Sequence, residues 1–141
     1  MTINQFMTAD HRACDEQFAN VENIVDSGNF DGGKTMFDEF ETHMLHHFDM
    51  EEKVMFPEFN ECGGGHCNPT GVMIMEHEQM RALLNQMRES VVENDKERFL
   101  GLSENLLFVM QQHNMKEEQM MYNMADENLD STDIIQKMQS I

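Results

Sequence analysis

Tryptophan is absent from the 141 residues, proline occurs only as Pro57 and Pro69, and 9 Lys and Arg stand against 27 Asp and Glu. Each shortage excludes something. So little proline, with aromatics that are nearly all Phe, suits helices far better than strands, and an all-α chain is expected. A formal charge of -18 leaves too few cations for the basic face that nucleic acid or an anionic membrane requires, so neither partner is expected. No stretch approaches the roughly 18 apolar residues of a membrane span, and "MTINQFMTADHR" has no basic region followed by an apolar run. A cytoplasmic protein is the expectation. Three cysteines, an odd number, describe no disulfide framework. The length suits one domain, residues 1–141, which at this size hides roughly two thirds of its unfolded surface. What the chain has in plenty is methionine, 16 of them, and acid. Cations are the natural visitors.

Four long helical patterns run along the chain. Thr2 and Gln5 form a capping-box signature, and Phe6, Ala13, Phe18, Val21 and Val25 recur at helical spacing until "SGNFDGGK". A second helix starts after Gly33 and carries Met36, Phe37, Phe40, Met44, Phe48 and Met55 to "FPEF". "NECGGGHCNPTG" reads as a loop. The third helix starts near Thr70 and runs through Ile74, Leu83, Leu84, Met87 and Val91; Asn94 or Asp95 caps a fourth, which ends near Met124. A short fifth helix from Ser131 is expected in "STDIIQKMQSI". Short connections between long amphipathic helices predict an antiparallel up-down-up-down four-helix bundle, with helix pairs at 1–61 and 70–125 and a tail at 126–141.

The pairs are copies. At an offset of 66 residues His11 falls on His77, His47 on His113 and Glu51 on Glu117, without a gap. The same offset pairs Asp10 with Glu76, Met7 with Met73, Met44 with Met110, Glu52 with Glu118, Met55 with Met121 and Phe56 with Tyr122. Duplicated hydrophobes would show only duplicated packing; here polar positions are duplicated too. In His47-x-x-x-Glu51 and His113-x-x-x-Glu117 the two side chains share one helical face one turn apart. His11 and His77 add one imidazole each from the other two helices. A histidine on an apolar face is ordinarily a hydrogen-bonded core residue, but a cage of four imidazoles and two carboxylates repeated across four helices points to metal. Burying two unpartnered carboxylates would cost several kcal/mol each, and a cation removes that cost. Imidazole with carboxylate suits iron, manganese or zinc, two half-sites suggest two ions bridged by the glutamates, and iron suits open positions and oxygen chemistry.

The runs "HHFDMEEKVMFPEF", "DHR", "EHEQMRALL" and "QQHNMKEEQMMY" resemble the hemerythrin-like, or HHE cation-binding, family from about Phe6 to Met124. The resemblance implies a left-handed four-helix bundle around a non-haem di-iron centre, two Fe ions bridged by two carboxylates and an oxo or hydroxo group. It also implies the ligands His11, His47, Glu51, His77, His113 and Glu117. Oxygen-carrying hemerythrins place a fifth histidine where this chain has Met73, and space the last histidine and carboxylate five apart rather than four. The set here looks more like that of iron-sulfur-cluster repair proteins and related HHE domains. The function implied is binding or sensing of dioxygen or a related small oxidant. The alternative is a di-iron enzyme acting on peroxide (H2O2) or nitric oxide (NO), or an iron donor in cluster repair; no redox partner is named by the sequence.

Other residues weigh less. His43, one turn before His47, reads as support for the cage or as a surface residue, and His46 as solvated. Glu52 and Glu118 point about 100° from the ligand face and read as a charged outer surface. Tyr122 reads as packing ahead of a hydrogen-bond donor to bound oxygen, and Met7, Met44, Met73 and Met110 as core filling ahead of pocket lining. Cys62, His66 and Cys67 match no zinc spacing, which leaves a loop, and Cys14 reads as a small buried hydrophobe. Ferritin-type storage is weak, because no histidine has Glu three residues before it.

Overall fold

A computed structural model of the chain describes residues 1–62 and 69–141; His66 and Cys67, named above, lie outside them. The described residues are helical and contain no strand: α1 (Ile3–Asp26), α2 (Phe30–Met50), α3 (Phe56–Glu61), α4 (Pro69–Val92), α5 (Lys96–Lys116), α6 (Tyr122–Asn128) and α7 (Ser131–Gln139). Two π-helical turns, Glu51–Met55 and Glu117–Met121, fuse α2 to α3 and α5 to α6.

The helix starts follow local chemistry. Thr2 accepts from the Gln5 amide and the Gln5 side chain accepts from the Thr2 amide, both at 3.0 Å, which completes the capping box. Of the two candidate caps before α5, Asp95 serves, accepting from the Arg98 amide at 3.1 Å. Asn94 instead takes a left-handed φ of 56° in the turn. The second helix starts earlier than Gly33, at Phe30, with Asn29 as its cap. Gly32 and Gly33 are inside it because α1 and α2 approach closely there: a Cβ on Gly33 would come within 2.9 Å of Val25, and one on Gly32 within 2.5 Å of Ile24. α7 forms as expected, capped by Asp130.

α1 packs on α2 and α5, and α4 on α5 and α2. Two apolar clusters fill the space between them. The lower one holds Phe18, Val25, Phe37, Phe40, Phe48, Leu84, Phe99 and Leu106 among others; the upper one holds Ile3, Met7, Met55, Phe56, Phe59, Met73 and Tyr122, closed by Ile134 and Met138 of α7. Each fully buried Phe or Met contributes about 1.5–3 kcal/mol. The stripes are shifted from expectation at two places. Ala13 and Ile74 are exposed, and the buried positions beside them are Cys14 and Met73. Where the stripe of every long helix passes from one cluster to the other it carries histidine: His11 between Met7 and Cys14, His77 between Met73 and Met80.

Candidate metal centre

All six residues expected in the cage are buried and converge between the two clusters: His11, His47, Glu51, His77, His113 and Glu117. Ligand atoms of Glu51, His77, His113 and Glu117 lie within 4.8 Å of one another, and so do those of His11, His47 and Glu117. Glu117 therefore belongs to both halves. Glu51 also spans them, with Oε1 at 3.0 Å from His77 Nε2 and 3.7 Å from His47 Nε2.

The imidazoles are aimed from behind. His47 Nδ1 donates to Asp10 at 2.6 Å, His11 Nδ1 to Glu118 at 2.8 Å, His77 Nδ1 to Glu52 at 2.6 Å and His113 Nδ1 to Glu76 at 2.9 Å. An ionised carboxylate only accepts, so each ring carries a proton on Nδ1 and turns Nε2 inward, the nitrogen a metal ligand offers once it is unprotonated. These four carboxylates are two repeat pairs. Glu52 and Glu118 are thus not a solvated outer surface: on a helix packed between neighbours, a residue 100° from the inward face points at the adjoining helix, and there it meets the back of that helix's histidine. His43 belongs to the same support, donating to the other oxygen of Asp10 at 2.8 Å. His46 is exposed.

Charge in the cage is unbalanced in a way a cation corrects. Burial, followed by the charge of Glu117, pushes the Glu51 carboxyl up. Burial also opposes ionisation of Glu117, but the charge of His113 and hydrogen bonds with Glu51, His11 and His113 outweigh it and hold that carboxyl well below its usual range. Burial works against a charged His113, yet Glu117 and its neighbours raise it to about 9. Asp10 is held at about 2, its burial overcome by hydrogen bonds from His47 and His43. Among the described residues, Glu51 Oε1, Glu117 Oε2, His77 Nε2 and His113 Nε2 have no aligned hydrogen-bond partner, although several lie near 3 Å from one another. Buried polar atoms that face a common point without bonding each other cost several kcal/mol. A cation at that point satisfies them together, and an imidazole and carboxylate donor set fits iron, manganese or zinc.

The π turns were not legible in the periodicity. They begin at the two glutamates, Glu51 and Glu117, and the amides of Phe56 and Tyr122 bond back to the carbonyls of those glutamates. An i to i+5 bond brings the fifth residue onto the glutamate's face, whereas α geometry would leave it about 140° away. Tyr122 consequently does more than pack. Its hydroxyl lies in the cage, 2.8 Å from Glu51 Oε2 and 2.9 Å from Glu117 Oε1. The sequence signal was the one hydroxyl in a duplicated aromatic pair, since Phe56 occupies the equivalent place.

A cavity of about 20 Å³ adjoins the cage, lined by His11, His47, Cys14, Met44, Met110 and Asn114 with Phe48 and Met80. Met44 and Met110 thus line a pocket, while Met7 and Met73 fill the upper cluster. Cys14 is the buried small residue expected, its thiol pushed far up by burial and then by Asp10 and Asp15. Asp10, Cys14 and His43 also come together. Asp10 and His43 are already bonded to each other and to the support of His47, so this group backs the cage.

A family model described as the hemerythrin HHE cation binding domain matches residues 2–125. No curated protein and no solved structure matches the chain.

Proposed function

The chain belongs to the hemerythrin HHE cation-binding family, and from that premise we propose that it holds two iron ions and binds or senses dioxygen or a related small oxidant. His11, His47 and Glu117 would hold one ion, Glu51, His77, His113 and Glu117 the other, with both glutamates bridging, in an up-down-up-down bundle. The convergence of donor atoms into two overlapping groups supports two ions. When bound, a di-iron pair would supply electrons to a small oxidant.

The cavity is the observation that carries the choice of ligand. A space of about 20 Å³ is enough for one water-sized molecule and too small for an organic substrate. Its walls are mainly thioether, thiol and phenyl groups, joined by the Asn114 amide and the His11 and His47 rings, so an uncharged diatomic gains contact without losing strong hydration. The chain's residues do the rest. Asp10 and Glu118 orient those two histidines, and the two apolar clusters keep bulk water from the carboxylates.

The test is to count iron per chain, reduce the protein without air, and record its visible spectrum as dioxygen is added and removed. Two irons with a reversible charge-transfer band are expected. No bound iron would sink the proposal; rapid irreversible oxidation would move it to an enzyme acting on peroxide or nitric oxide.

A further inference from the structure

The two donor groups are unequal as the acidic and imidazole residues alone define them. Glu51, His77, His113 and Glu117 offer four, whereas His11, His47 and Glu117 offer three. Tyr122 stands at the short one. Its hydroxyl oxygen is 3.0 Å from His11 Nε2, 3.3 Å from His47 Nε2 and 2.9 Å from Glu117 Oε1, and it touches Glu51 Oε2 as well. The residue is fully buried.

One phenol cannot satisfy those four neighbours as hydrogen bonds. It has a single proton to donate, and with the inward imidazole nitrogens unprotonated and Glu117 ionised, those three neighbours only accept. The crowding has a different logic: donor atoms bound at about 2.0–2.1 Å and at right angles about one ion lie about 2.9 Å apart. Tyr122 Oη keeps that spacing to His11, Glu117 and Glu51, with His47 slightly farther. The π turn puts it there, because it returns residue 122 to the face of Glu117. Nothing in the other half can do the same, since the repeat places the phenyl ring of Phe56 at the equivalent position.

We propose that Tyr122 is a seventh metal ligand, giving its phenolate oxygen to the ion held by His11 and His47. The proposal rests on the reading of the cage as a metal site. On loading, the phenol O–H bond breaks as the metal–oxygen bond forms, the proton leaves to solvent, and no oxidation state changes. The two ions are then chemically distinct: one has two imidazoles and carboxylate, the other adds a phenolate. Tyr122 belongs to the upper cluster, whereas the cavity is walled largely by the lower one, so the tyrosine and the cavity approach the His11 and His47 half from different sides.

Because Tyr122 is the chain's single tyrosine, isotope labelling reads it without a mutation. Protein with natural or ring-deuterated tyrosine is loaded with ferrous iron, its iron counted, oxidised with ferricyanide in the absence of dioxygen, and examined by visible absorption and resonance Raman. A visible band whose excitation enhances ring and C–O vibrations that shift on deuteration is expected. In Tyr122→Phe those vibrations should vanish, and one of the two ions should bind at least ~10-fold more weakly while the other is retained. Two irons per chain with no tyrosine vibrations would overturn the ligand and leave the two-ion reading standing; absence of iron would overturn both.

Discussion

The two halves of the cage share a template and differ in what surrounds it. His77 lies between aromatic rings, with Phe48 stacked at 4.1 Å and Phe56 at 6.0 Å between centroids. At the repeat-equivalent places around His11 stand Asn114 and Tyr122, one on the wall of the cavity and the other with its hydroxyl among the ligand atoms. The outer carboxylates differ as well. Glu76 is paired with Lys116, and Glu52 with Arg81 at 2.9 Å. Asp10 has instead a second histidine, His43, and among the described residues Glu118 has no Lys or Arg partner. Duplication fixed the donors; the unduplicated neighbours make one half closed and charge-compensated, the other open and more electron-rich.

Breaking the element common to both halves has the largest expected effect. Glu117→Ala should lose both ions and about 3–5 kcal/mol of stability in metal-containing buffer, read by iron content and denaturant unfolding. Retention of one full equivalent would show that the halves are independent. Next is pH. In chelator-stripped protein, His113 stays protonated to about pH 9, above its ordinary 6.5. That contribution is complete below pH 6.5 and is lost as the pH rises through 9, so the melting temperature should fall across that window, less steeply in His113→Gln. The raised His47 adds to the slope from the other half, and a slope unchanged in His113→Gln would assign the whole effect there.

The comparison sharpens with Asp10→Asn and Glu76→Gln. Each should weaken one ion by about 10–100-fold, that of its own half, in chelator competition. Equal weakening of both ions by either change would erase the distinction. The smallest change makes the halves alike: Asn114→Phe copies Phe48 onto the open side. It should keep both ions, cost about 1–3 kcal/mol by overpacking, and slow reaction with oxidant in stopped-flow absorbance. An unaltered rate would remove the cavity from the route.

The helices, their caps and the six inward donors were legible because they obey 3.6-residue periodicity and a strict offset. Glycine misled at Gly32 and Gly33, since a close helix crossing and a helix break ask for the same residue. Glu52 and Glu118 misled for another reason: distance from the inward face was equated with solvent, and in a bundle the space beside a helix belongs to its neighbour. The π turns left no trace in propensity. What they changed is which residue faces the cage, and that could be suspected only from a duplicated aromatic five residues after each glutamate.

In terms of chain length, each π turn is an added residue that the helix absorbs without breaking, and every later side chain is set by that phase. Deleting Gln119 would allow a regular α-helix to close with Tyr122 as the fourth residue after Glu117, about 40° from its face, so α6 and α7 would keep their phase relative to α5. Tyr122 would stay beside Glu117, and Ile134 and Met138 would stay in the upper cluster. A one-residue deletion in the wide turn would therefore be absorbed, while the same deletion within the regular helix Lys96–Lys116 would turn every later side chain by about 100° and empty a buried wall of the protein.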